Sequence, residues 1–93
     1  MKKDASALAM QAISTIAAVG TKKGTFCDLK VGTGFSLIRV KVLDFPIVTV
    51  SLFVPDEVGN LACVFSEAAF FSETASGDIT SIRDAINKAM KHL

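Results

Sequence analysis

The sequence predicts an α+β fold: a two-layer sandwich in which a four-stranded antiparallel meander carries the N-terminal and C-terminal helices on one face, in the order α-β-β-β-β-α. Three observations predict it. Two apolar-alternating runs meet at Asp44-Phe45-Pro46. Pairing Val42 with Val48 then sets Val40 opposite Val50 and Ile38 opposite Leu52, all on one uncharged surface, because strand side chains alternate with a period of two. The segments at both ends of the chain have apolar residues at helical spacing. Two amphipathic helices and one uncharged sheet face satisfy one another by packing together, with the helices over Leu29, Val40 and Val50.

The first helix is expected from about Lys3 to Val19. At 100° per residue Leu8, Ala12, Ile13, Ile16 and Val19 share one arc, and Lys3, Asp4, Gln11, Ser14 and Thr15 the opposite one. Gly20 terminates it, with Lys22 and Lys23 near its negative end. A strand follows over Thr25–Val31, and Gly32-Thr33-Gly34 turns the chain. If Val31 faces Ser36, then Leu29 faces Ile38, Cys27 faces Val40, and Asp28 falls opposite Arg39 on the outer face as a cross-strand ion pair.

The third strand, Ile47–Val54, stops at Pro55, and Asp56-Glu57-Val58-Gly59-Asn60 reads as a polar connection. A fourth strand starts near Leu61 with two registers open: Leu61, Cys63 and Phe65 inward with Ala62 and Val64 outward, or the reverse. Thr74–Gly77 breaks the pattern, and Asp78 suits the N-cap of a helix starting at Ile79. Ile79, Ile82, Ala85, Ile86, Ala89, Met90 and Leu93 form its apolar arc. Lys88, Lys91 and His92 favour the C-terminal end of its dipole.

Ninety-three residues make one domain, residues 1–93, with room for one core and none for a second lobe. Apolar residues make up 51% of the chain, which predicts burial beyond the monomer core and hence a homo-oligomer, a homodimer in the simplest case. Ten Lys and Arg balance nine Asp and Glu to a net +1, so no global field points to nucleic acid. Met1-Lys2-Lys3 before an Ala-rich run has the outline of a secretory signal, but Asp4, Ser6, Gln11, Ser14 and Thr15 interrupt it. No apolar run reaches the length of a membrane span. The expectation is a cytoplasmic protein with no membrane partner.

Chemistry-bearing motifs are sparse. The two cysteines, Cys27 and Cys63, form no CxxC and are expected as reduced packing residues, with a Cys27–Cys63 disulfide as the alternative in an oxidising compartment. With His92 the sole histidine, no metal site of ordinary spacing is present. Gly20-Thr21-Lys22-Lys23-Gly24-Thr25 has the residue types of a phosphate loop but leaves a helix for a strand, the reverse of the order that points a helix N-terminus at an anion. A Cys–His nucleophilic pair would have to use a histidine at a fraying helix end. Asp56, Glu57, Glu67 and Glu73 read as solubilising carboxylates. No catalytic, metal or cofactor residue is expected, and no cofactor.

The outer sheet face is the candidate working surface. It combines Phe26, Phe35, Leu37, Ile47 and Phe53 with Arg39 and Lys41, and Lys30 beside them. It is too apolar to be left to water. Phe70 and Phe71 fit the core in neither register of the fourth strand and are assigned to the same interface, the alternative being an intramolecular lid over the open sheet face. The expected function is a small, non-enzymatic, homo-oligomeric interaction protein of accessory, adaptor, chaperone or inhibitor type, binding itself and a protein partner through this face. So compact a chain suits a phage or mobile-element accessory protein. The alternative is a nucleic-acid-binding module, because aromatics on a basic sheet stack bases in several single-strand binders, although no RNP-like motif is present.

Overall fold

In the computed structural model, which describes residues 4–32, 34–71 and 79–93, the chain forms α1 (Ala5–Val19), β1 (Phe26–Lys30), β2 (Leu37–Asp44), β3 (Ile47–Pro55), β4 (Leu61–Phe70) and α2 (Thr80–Met90). The strands make one antiparallel sheet in the order β1-β2-β3-β4. α1 packs over β1, α2 over β3 and β4, and the helices pack on each other. This is the α-β-β-β-β-α sandwich expected from the alternation and the two helical arcs.

The Asp4 side chain caps α1 by accepting from Ala7 N–H at 2.7 Å, and Gly20 ends it at φ +123°, a conformation glycine adopts without a Cβ clash, its N–H donating to Ile16 O at 2.8 Å. The buried stripe is Ala5, Leu8, Ala9, Ala12 and Ile16. The three alanines let the helix axis approach its neighbours closely. Val19 departs from expectation, standing 74% exposed. The Asp78 cap lies outside the described residues. α2 buries Ile82, Ala85, Ile86 and Ala89, with Ile79 and Met90 partly covered, while Leu93, past its end, is exposed.

The central hairpin has the expected register: Val42↔Val48, Val40↔Val50 and Ile38↔Leu52. All six side chains are fully buried. β1 pairs as expected too, with Cys27↔Val40, Asp28↔Arg39 and Leu29↔Ile38. Backbone bonds from Val42 N–H to Thr25 O and from Val31 N–H to Ser36 O extend this ladder one residue at each end. Beyond Val42 the pairing shifts to Asp44↔Ile47. Leu43 is therefore an extra bulged residue that lets Phe45-Pro46, joined by a cis peptide bond, close the hairpin.

β4 follows neither single register. Phe65 pairs with Leu52 but Cys63 with Phe53, so Val64 is an extra residue and the strand changes face at that point. Beyond it Phe65, Glu67 and Ala69 lie on the helix side; before it Leu61 and Cys63 lie on the outer side, opposite Pro55 and Phe53. The strand's end corrects the expectation for the aromatic pair. Phe70 is 63% exposed on the outer face, whereas Phe71 is 4% exposed, packed in the core and edge-on to Phe45 at 6.0 Å between centroids. Just past the strand, its N–H donates to Pro46 O at 2.8 Å, and this hydrogen bond holds the ring beneath the hairpin turn.

Two predictions test these assignments. Phe71→Ala should lower the unfolding free energy by about 3 kcal/mol through the cavity it leaves, and Phe70→Ala by less than about 0.5 kcal/mol, as read by urea denaturation. Val50→Asp should abolish the folded circular dichroism spectrum by burying an unpaired carboxylate between sheet and helices, while Thr49→Asp, beside Lys41 on the other face, should remain folded.

Candidate interaction surface on the open sheet face

Because side chains alternate along each strand, the face turned from the helices is built in rows across the sheet. Lys30, Leu37, Phe53 and Cys63 make one row; Asp28, Arg39, Ser51 and Ser66 the next; Phe26, Lys41, Thr49 and Ala68 a third; and Asp44, Ile47 and Phe70 a fourth. No described helix covers this face.

Arg39 stands near the centre of its β1–β2 half. Its Nε and Nη2 donate to Oδ1 and Oδ2 of Asp28 at 2.8 and 3.1 Å, a bidentate pair. The guanidinium carbon lies 4.4 Å from the Phe26 ring centroid and 5.4 Å from that of Phe53, within cation–π range of both. The hydrogen-bonded Asp28 carboxylate holds Arg39 above the ordinary arginine range, with partial desolvation opposing and the charge of Asp28 reinforcing the effect. A raised pKa means that the contribution of the charged form is complete below the unfolded-state value and is lost only at higher pH, so Arg39 stays cationic and engaged at every working pH.

The two halves of the face differ in charge. Asp28, Lys30, Arg39, Lys41 and Asp44 all lie on β1 and β2. The β3–β4 half consists of Ile47, Thr49, Ser51, Phe53, Leu61, Cys63, Ser66, Ala68 and Phe70 and carries no charge. Its middle is low and flat, with the Ser51 and Ser66 hydroxyls hydrogen-bonded at 3.0 Å.

Of the residues expected at this surface, the structure brings together Phe26, Leu37, Arg39, Lys41, Ile47, Phe53 and Phe70. Phe35 is set apart: β2 begins only at Leu37, and the Phe35 ring, 83% exposed, stands in the β1–β2 turn. Phe71 belongs to the core. The contribution of β4 was half legible: one of the two registers left open turns Leu61 and Cys63 outward, but the bulge hid Ser66 and Ala68, for which the small residues opposite Ser51 and Thr49 were the signal.

The remaining chemical candidates are dispersed. Cys27 is a buried packing residue, as expected, but Cys63 is exposed, because the bulge turns it outward, and its thiol donates to Phe65 O at 3.3 Å. The His92 ring lies against Phe65 at 5.1 Å. Phe65 is on the helix side and Cys63 on the outer side, so the sheet separates thiol from imidazole. Gly20–Thr25 forms the α1 cap and a turn closed by Thr25 N–H to Lys22 O at 3.0 Å. Among the described residues, no three His, Cys, Asp or Glu side chains gather as a metal site, and no helix is long and apolar enough to cross a membrane.

Comparison with protein-family models, with curated proteins and with solved structures finds no match to this chain.

Arg39→Lys should cost about 1 kcal/mol of stability, since an ammonium retains the charge but loses the fork to Asp28 and the flat contact with two rings. Chemical denaturation of the single variants and of the Asp28→Asn, Arg39→Lys double variant would measure the coupling as a failure of additivity.

Proposed function

We propose that this chain is a small, non-enzymatic, homo-oligomeric interaction protein, of accessory, chaperone or inhibitor type, that takes a protein partner on its open sheet face. The observation that carries the reading is the arrangement around Arg39. A face that binds nucleic acid needs cations free for phosphates and ring faces free for bases. Here the central cation is committed to Asp28, and the two neighbouring aromatic rings are committed to that cation. Lys30 and Lys41 are the remaining basic groups of the face. An uncharged apolar and small-residue field flanked by a polar charged strip has the anatomy of a protein interface, with a low-charge centre and a polar rim.

The experiment compares two variants. Phe53→Ser with Ile47→Ser removes apolar area from the field, and Lys30→Glu with Lys41→Glu reverses the rim charge. A cross-linked protein partner should be lost with the first variant, while the second should shift on-rate and salt dependence only. Fluorescence anisotropy with a single-stranded oligonucleotide should show no tight binding by the wild type. Oligonucleotide binding that falls steeply with salt and vanishes in the lysine variant would replace this reading with the nucleic-acid one.

A further inference from the structure

β4 is an edge strand, and part of its edge is open. Phe71 N–H points toward β3, to Pro46 O, so Phe70 N–H points away from the sheet, where it donates to Ser81 Oγ of α2 at 2.9 Å. By the same alternation the backbone groups of Ala68 and Ser66 point outward from the edge, and no described residue bonds to them. Edges are ordinarily blunted by bulges, lysines or prolines. The Val64 bulge blunts the first part of β4, but Phe65–Phe70 is regular and has no Lys or Pro. Its one charge, Glu67, points to the helix side, where Oε1 accepts from Lys88 Nζ at 3.0 Å.

We propose that Ser66–Phe70 pairs antiparallel with the same segment of a second copy of this chain, about a twofold axis at Ala68, joining two sheets into one. This rests on the oligomeric part of the reading above and assigns self-association to the edge, leaving the open face to another partner. Three features select the occupant and the register. An axis at Glu67 would set two Glu67 carboxylates opposite each other, which like-charge repulsion disfavours; an axis at Ala68 sets Glu67 opposite Ala69. That register pairs Ala68 with Ala68 and Ser66 with Phe70 of the second copy: Ala68 N–H donates to Ala68 O and Ser66 N–H to Phe70 O across the axis, while Phe70 N–H stays with Ser81 Oγ, so the Ser66–Phe70 pair makes one of its two bonds.

The third feature is charge on α2. Ser81 stands beside Phe70 and Lys88 beside Glu67, so the point of α2 alongside Ala68 falls between Asp84 and Lys88. Ser81, Asp84 and Lys88 lie on one stripe of the helix. Asp84 is 54% exposed and, among the described residues, engaged only by its neighbour Arg83 at 3.3 Å. A twofold axis at Ala68 brings Asp84 of each copy opposite Lys88 of the other. An axis at Ser66 would instead bring the Lys88, Lys91 and His92 ends of the two helices together, with like charges facing.

Sedimentation velocity of the full chain tests this. The wild type should sediment as a dimer at tens of micromolar, and Ala68→Pro, which deletes an edge donor but no β3 bond, should weaken association roughly thirtyfold, as expected for two lost hydrogen bonds per dimer. A second pair of variants guards against misfolding. Asp84→Lys and Lys88→Asp should each be monomeric alone, through like-charge contacts across the axis, and should form a mixed dimer when combined, each keeping the wild-type circular dichroism spectrum. A monomeric wild type, or no mixed dimer from the folded variants, would overturn the proposal. So would a dimer that survives Ala68→Pro but is lost in the Phe53→Ser, Ile47→Ser variant, an outcome that moves self-association to the open face. Loss of the protein partner with the dimer intact leaves the edge assignment standing.

Discussion

The β2–β3 hairpin is the element on which the rest of the structure depends. Ile38, Val40, Val42, Val48, Val50 and Leu52 form three directly opposed pairs with no accessible surface. A slip of one residue would send all six to the other face and bring Arg39 and Lys41 under the helices, where unpaired charge is prohibitive. The hairpin thus fixes which way the sheet faces. α1 supplies Leu8 and Ile16 to that surface and α2 supplies Ile82 and Ile86; neither 15-residue α1 nor 11-residue α2 would hold its conformation in water without such a partner.

What could be read from the sequence follows from this constraint. Where strict alternation runs unbroken on both strands, as in β1 against β2 and β2 against β3, the register and even the Asp28–Arg39 pair were legible from side-chain parity alone. Legibility ended where parity ended. Val64 adds one residue to β4, so Cys63 and Phe65 occupy opposite faces although their positions differ by two. No pattern in Leu61-Ala62-Cys63-Val64-Phe65 announces that change, since all five residues tolerate either environment. The misplacement of Phe71 has a different cause. It is buried by a backbone hydrogen bond to the Pro46 carbonyl and by the Phe45 ring, contacts between segments distant in the chain that periodicity within β4 does not contain.

The candidate surface was legible in the same uneven way. Its charged half lies on β1 and β2 and was readable residue by residue. What the sequence could not convey is that Arg39, besides its pair with Asp28, lies against two aromatic rings. Its position opposite Asp28 follows from register, but its contacts with Phe26 and Phe53 depend on the sheet's twist bringing diagonal neighbours within reach. Composition counts an arginine and two phenylalanines as ingredients of a base-stacking surface. Geometry converts them into a closed cluster that bridges three strands.

The face and the edge make compatible demands on the fold. The proposed pairing along Ser66–Phe70 would extend each sheet in its own plane, making the outer faces of two copies one continuous surface whose uncharged β3–β4 halves adjoin at the axis and whose charged β1–β2 strips lie at the two far ends. Phe70, 63% exposed in one chain, then lies beside Ser66 of the other, on the low ground formed by Ser51 and Ser66. Burying part of that ring at the seam would remove the most exposed aromatic group of β4 from water, over two serines of which one hydroxyl already donates to the other. The bulge at Val64 is what confines such pairing: it bends the first part of β4 out of register with any straight partner strand, so the sheet can grow by one copy through its second part while its other end stays closed to further addition.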